Sequence, residues 1–300
     1  MPAPIILFAY KRPSEFRRTL LALQANYLAS ESELYVFIDG PKNPSDCLKV
    51  EQVKAIAACI TGFRAVYLHI SEANKGCASS IIGGVSQVLR DHPSAIIIED
   101  DIVTTPNFLD FINQSLVQYA HHPKVFSVGG YTFPFEQPAG YVDDVYFYGR
   151  TCAWGWGIWA DRWFKTDWSV TDFKAFMADS EQRRAFNYYG SDRVRMLRRT
   201  IESEIDTWDI LLCYEQFRQK KLTIYPTVSK VENIGFYSAN GSTNTNVYNR
   251  YRTVLDDGVR RQFALPERVS EHSTYTRQFQ HQFSVSVRLF NRLKTVAGLR

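Results

Sequence analysis

With 300 residues, 45% apolar and 22% charged, the chain has the composition of an ordinary soluble globular protein and is long enough for a sizeable core. A net charge of +4 leaves no electrostatic footprint for nucleic acid, so none is expected as a partner. The five cysteines (Cys47, Cys59, Cys77, Cys152, Cys213) are odd in number and have neither metal-ligand spacing nor a disulfide framework. No apolar run reaches the roughly 20 residues that span a bilayer. No basic segment followed by an apolar one opens the chain, so a cytoplasmic protein with reduced thiols is expected.

The first half alternates strand and helix signals. Pro4 to Ala9 is an apolar, strand-sized run, and Pro13 opens a helical pattern through Phe16, Leu20, Leu21 and Leu23. Leu34 to Ile38 predicts a second strand ending in the turn Asp39-Gly40-Pro41. Asp46 to Ile60 predicts a helix with Leu48, Val50, Val53, Ile56 and Ile60 on one side. A third strand (Ala65 to Ile70) leads through the loop Asn74-Lys75-Gly76 into a helix over Cys77 to Leu89, and Ala95 to Ile98 is the fourth strand. A helix from Pro106 to about Tyr119 and a strand at Val125 to Val128 complete this half. Such alternation predicts an α/β fold with a mostly parallel sheet and right-handed crossovers, a Rossmann-like nucleotide-binding layer.

The second half differs in texture. Gly129-Gly130 opens an aromatic, turn-rich stretch that runs to Trp154-Gly155-Trp156-Gly157-Ile158-Trp159. Helices are predicted at Phe173 to Phe176, Glu181 to Thr200 and Trp208 to Lys221, then a strand at Leu222 to Tyr225 and a polar loop at Asn240 to Asn244. No Pro/Ser-rich linker separates the halves, so the expected division is one domain over 1–262 (1–128 and 129–262) with a tail over 263–300. Beyond Glu271 the tail has no acidic residue but keeps Arg277, Arg288, Arg292, Lys294 and Arg300. Phe283, Val287, Phe290 and Leu293 recur at helical spacing. A basic amphipathic helix of this kind suits an anionic membrane surface, its own domain, or a second subunit in a homodimer.

Ala95-Ile96-Ile97-Ile98-Glu99-Asp100-Asp101 is a buried-strand signal ending in three carboxylates, which repel one another unless a positive group sits there. Ligands of open α/β sheets bind outside the carboxyl ends of the strands. Tyr10-Lys11-Arg12, Asp39-Gly40 and Asn74-Lys75-Gly76 should therefore gather beside the carboxylates. Arg12 and Lys75 offer charge for a diphosphate, Asp39 an acceptor for a base or ribose, and the carboxylates a seat for a hard divalent cation. An acidic loop capping the next helix is the plain alternative. Trp154 and Trp156 are either core or an aromatic wall for a sugar ring. Glu202 to Asp209 is either an N-capping cluster or the source of a general base.

Taken together, the Lys-Arg-Pro turn after the first strand, the strand ending in Asp-Gly, the Asn-Lys-Gly loop and the strand ending in Glu-Asp-Asp resemble a GT-A glycosyltransferase. Trp-Gly-Trp, Asp-Thr-Trp and Asn233-Ile234-Gly235-Phe236 extend the likeness to about residue 245, and the N-acetylglucosaminyltransferase I type and its bacterial relatives are the nearest in kind. The resemblance implies inverting transfer from a nucleotide-sugar, expected to be a UDP-sugar, to a glycan or lipid-linked acceptor, with Mn²⁺ or Mg²⁺ as cofactor. It implies Asp101 as the metal ligand. Ala9, Arg12, Asp39, Lys75, Glu99, Asp100 and Ser242 would lie on the nucleotide or donor sugar. Asp206 would be the catalytic base, with Asp209 as its rival. The loop around Ser242 lacks the His that bacterial relatives often place there. Three other readings compete. A sugar-phosphate nucleotidyltransferase shares the fold class but begins with a Gly-rich, Arg-containing phosphate loop, whereas Tyr10-Lys11-Arg12-Pro13 has no glycine. A phosphatase of the haloacid dehalogenase type needs a second Asp where Pro41 stands, and a non-catalytic carbohydrate-binding module would leave the three carboxylates without a purpose.

Overall fold

The computed structural model describes residues 1–237 and 248–299. The first half folds as β1 (Ile5–Ala9), α1 (Pro13–Gln24), β2 (Glu33–Ile38), α2 (Cys47–Ala57), β3 (Ala65–Ile70), α3 (Cys77–Leu89), β4 (Ser94–Glu99), β5 (Ile102–Thr104), α4 (Phe108–Gln118) and β6 (Val125–Gly129). The second half continues with β7 (Val145–Tyr148), β8 (Trp156–Trp159), α5 (Ala160–Trp163), α6 (Phe173–Ala178), α7 (Ser180–Asn187), α8 (Arg193–Ile201), α9 (Asp209–Arg218), β9 (Leu222–Pro226), β10 (Val231–Asn233), α10 (Ser273–Gln282) and α11 (Val285–Val296).

One eight-stranded sheet in the order β3-β2-β1-β4-β8-β6-β9-β7 runs through both halves. The chain is thus α/β, as the alternation predicts, with parallel pairing from β3 to β4. Every residue of β1 is buried, and Ile5, Ile6 and Leu7 lie opposite Ile96, Ile97 and Ile98 of β4. Continuous apolar runs of this kind mark strands covered on both faces. Alternate residues feed the two layers. Leu7, Ile96 and Ile98 pack with Phe16 and Leu20 of α1, Val50 of α2 and Phe111 of α4. Ile6, Phe8 and Ile97 pack with Ile81 and Val85 of α3, Trp163 of α5 and Leu212 of α9. A third apolar cluster joins α6 to α9 through Phe176, Phe186, Leu197 and Tyr214.

Three expectations are corrected. The end of the tryptophan run is a strand: β8, Trp156 to Trp159, inserts antiparallel between β4 and β6, with Ile97 opposite Trp156 and Ser94 opposite Trp159. Gly157 is required there because a Cβ would meet Ile112 of α4 at 2.8 Å. The helix predicted from Glu181 to Thr200 is two helices, α7 and α8. They part at Gly190, whose φ of +147° ends helical geometry and leaves room for the Arg150 guanidinium paired with Asp192 at 2.9 Å. The helical spacing read through Phe283 is also broken. Phe283 is the C-cap of α10 and is buried with Tyr275 and Phe279 in the main core, whereas α11 starts afresh at Val285. Among the described residues no helix is long and apolar enough to cross a membrane.

Candidate functional site

The carboxylates lie at the C-terminal end of β4, beside the end of β1. Arg12 is the N-cap residue of α1, held there by Pro13 in the first turn, so its side chain leaves the helix start toward β4. Its guanidinium spans two carboxylates, donating from Nη1 to Asp101 at 2.7 Å and from Nη2 to Asp100. Asp100 is 2% exposed; the backbone N–H of Tyr10 donates to its other oxygen at 3.3 Å, and Thr19 Oγ1 donates to its carbonyl at 2.9 Å. Ala9 ends β1 opposite Ile38, on the rim of the same crevice.

Electrostatically the cluster is under-compensated. Burial, helped by Asp101 and Asp100, pushes the Glu99 carboxyl up to about 8, and Arg12 only partly opposes this. Asp100 also rises, through burial first, despite its bond to Arg12. For Arg12, burial works against the charge, but Asp100 and Asp101 more than reverse it and hold the guanidinium charged. Three carboxylates and one guanidinium thus share one crevice, and a further cation would relieve the remaining repulsion. Their oxygens are hard donors of the kind Mg²⁺ and Mn²⁺ take. Among the described residues no three such groups form a ready-made metal cage. A cation held through one or two carboxylates, with the rest of its shell from a phosphate ligand and water, is the ordinary arrangement for Mg²⁺, and the residues present fit it.

The segment after β10 closes the other side of Asp101. Its carbonyl accepts from the Ile234 N–H at 2.8 Å, and a Cβ on Gly235 would overlap the Asp101 carboxylate. Gly235 thus lies against the Asp101 carboxylate, and the sequence names it only within the segment that extends the resemblance. The signal was there, a glycine between Asn233 and two aromatics, but its partner lies far away in the chain.

Asp39 and Asp206 serve the loop before α3. Asp39 accepts from the N–H groups of Gly40 (3.0 Å), Lys75 (2.9 Å) and Gly76 (3.2 Å) and from Asn74 Nδ2 (2.9 Å). Four donors fill the acceptor capacity of one carboxylate, so Asp39 shapes the 74–76 loop directly and would reach a nucleotide only through it. Lys75 is exposed on that loop. Asp206 accepts from the N–H groups of Cys77 (3.0 Å) and Ala78 (3.4 Å). It thus caps α3 from a distant part of the chain. Asp209, the first residue of α9, takes a hydrogen bond from Thr207 Oγ1, and its charge helps raise the carboxyl of Glu99.

Trp156 is corrected as well. It is 1% exposed and stacked on Trp208, with ring centroids 5.1 Å apart, so it is core and no wall. Trp154 is half-buried, edge-on to Tyr131 (4.7 Å) and Tyr251 (5.1 Å) and 6.0 Å from Phe236, the neighbour of Gly235. It remains available as an aromatic surface near Asp101. Ser242 lies outside the described residues. A cavity of about 1020 Å³ opens among α6, α7 and α9, lined in part by Phe176, Tyr188, Tyr214 and Arg218. It reaches Leu222 at the start of β9, on the sheet edge opposite Glu99, so it plays no part in the carboxylate site.

No protein-family model and no curated protein sequence matches the chain. Among solved structures it is similar to TarS of S. aureus (10% identity, TM-score 0.43), covering 76% of this chain and 37% of that one. It is similar to an active-site mutant of LgtC (14%, TM-score 0.42), covering 85% of each chain. It is also similar to the mannosyltransferase PcManGT from Pyrobaculum calidifontis, solved with GDP-Man and Mn²⁺ (10%, TM-score 0.39), covering 72% of each. The chain spans little more than a third of the length of TarS.

Proposed function

We propose that the chain is a GT-A glycosyltransferase, nearest in kind to the N-acetylglucosaminyltransferase I type, that transfers a hexosyl or N-acetylhexosaminyl group. The donor would be a UDP-sugar, and the acceptor a hydroxyl of a glycan or lipid-linked glycan met on the cytoplasmic side of a membrane. The observation that carries this reading is the Arg12 guanidinium bound to both Asp100 and Asp101 at the carboxyl end of β4. A site built this way is suited to a diphosphate accompanied by a cation, and the sequence resemblance supports the choice of a nucleotide-sugar.

The residues divide the work as follows. Asp101 would hold Mn²⁺ or Mg²⁺, which when bound supplies positive charge to the leaving diphosphate. Lys75 adds a mobile ammonium on the 74–76 loop, whose backbone Asp39 holds. Asp100 and Glu99 orient the donor's ribose and sugar, with Arg12 fixing the carboxylates. Asp209 takes the proton of the acceptor hydroxyl as its oxygen bonds to the anomeric carbon and the bond from that carbon to the diphosphate breaks, inverting the centre. Trp154 offers its ring to the apolar face of a sugar.

Thermal stability of the purified protein with a panel of nucleoside diphosphates, each with and without Mn²⁺, tests the proposal. A ligand at 100 times its Kd stabilises by about 2.7 kcal/mol. A rise in melting temperature with UDP only when metal is present, lost in Asp101→Ala, is the expected result. No response to any nucleotide would overturn the reading.

A further inference from the structure

Helix α11 carries its apolar residues on the wrong side for a helix that packs on its own domain. Val285, Leu289, Leu293 and Val296, spaced four, four and three apart, form one stripe, and each is more than half exposed, as is Phe290 beside them. No residue of the helix is buried. The face toward the body is instead half-buried and largely polar: Arg288 donates to Ser191 Oγ at 3.0 Å, Thr295 Oγ1 accepts from the Tyr248 N–H at 3.0 Å, and the Lys294 ammonium sits 4.3 Å from the centre of the Tyr248 ring. Ser284 caps the start through its hydroxyl, which accepts from Val287. The helix is thus anchored by polar contacts and held with its apolar stripe outward.

Charge decides what covers that stripe. Arg288 and Arg292 flank it on one side, Lys294 lies beyond Phe290 on the other, and no carboxylate follows Glu271. A second copy of the same helix would bring cation against cation. An anionic lipid surface complements both features: the stripe enters the boundary between headgroups and acyl chains, Arg292 reaches back to the phosphates, and Arg288 and Lys294 add positive charge from where they contact Ser191 and Tyr248. We infer that α11 is an interfacial membrane-binding helix that docks the protein on an anionic bilayer. This inference does not depend on the catalytic reading, and its test needs no activity.

Flotation of the full chain with vesicles of phosphatidylcholine containing about 30% phosphatidylglycerol is compared with phosphatidylcholine alone. The expected result is co-flotation with the anionic vesicles, weakened by raising salt from about 0.1 M to about 0.5 M. Leu289→Glu combined with Leu293→Glu should lower partitioning at least tenfold. Since both side chains face solvent, this variant should melt at the wild-type temperature, and Arg292→Gln should give a smaller loss. Failure of the wild type to float at low salt, or undiminished flotation of the double variant, would overturn the inference. So would a dimer in light scattering that becomes a monomer in the double variant while neither protein binds vesicles.

Discussion

Asp206 and Asp209 are three residues apart, and the proposed function gives them different work, which substitution can separate. In Asp206→Ala the N–H groups of Cys77 and Ala78 lose their acceptor at the start of α3. Removing a cap of this type costs about 0.5–2 kcal/mol. With one bond at 3.0 Å and the other at 3.4 Å, the lower half of that range, about 1 kcal/mol, applies. For 300 residues that is a fall of roughly 1.5–2 °C in melting temperature. Transfer should drop less than tenfold, through looser placement of the 74–76 loop. In Asp209→Asn the fold should be kept, while loss of a general base costs about 10²–10⁴ in rate, or about 3–5 kcal/mol of barrier. The assay is kcat for sugar transfer beside a melting curve for each variant, including Asp206→Asn. If Asp206→Asn lost more than a hundredfold in kcat at an unchanged melting temperature while Asp209→Asn stayed active, the assignment drawn from these hydrogen bonds would be wrong.

Three other outcomes are expected. Trp156→Ala should cost about 3–5 kcal/mol in urea denaturation, because the ring is sealed between Trp208 and Trp163, and a cost below about 1 kcal/mol would mean that it is not core. Burial alone would raise the Asp192 carboxyl, but the bonded Arg150 guanidinium reverses this and holds it at about 2, down from 3.8. The resulting stability, about 2 kcal/mol, is present above pH 3.8 and lost as pH falls through 3.8 toward 2, so Asp192→Asn should flatten that part of the stability–pH curve. Gly235→Ala should push the Asp101 carboxylate aside and weaken metal-dependent nucleotide binding about tenfold, or about 1.4 kcal/mol, in calorimetry; an unchanged affinity would remove Gly235 from the site.

The parallel half was legible because its strands are continuous apolar runs closed by turn residues. The predicted span of α3, Cys77 to Leu89, is the one the chain adopts. Arg12 could be placed beside Asp100 and Asp101 because parallel strands share one carboxyl edge. What escaped depends on partners remote in sequence. β8 reads as an aromatic turn until β4 and β6 flank it, and β5 and β10 are three-residue strands that exist only as a pair. Trp156 and Trp154 look alike in sequence, and only the position of Trp208 and Phe236 makes one core and leaves the other open. The same holds for Asp206 and Asp209: local sequence offers both as carboxylates at a helix start, and the backbone of α3 claims only the first.

The insertion of β8 between β4 and β6 also bears on synthesis. β4 is complete when Glu99 leaves the ribosome, but the strand that covers its free edge is not made until Trp159. At roughly 5–20 residues per second the nascent chain carries an open, isoleucine-rich edge for several seconds. An edge of that composition is a template for pairing with other chains. The carboxylates Glu99, Asp100 and Asp101 then act as a charged end-stop on that strand. Neutralising them would be expected to raise aggregation during expression even where the folded protein becomes more stable.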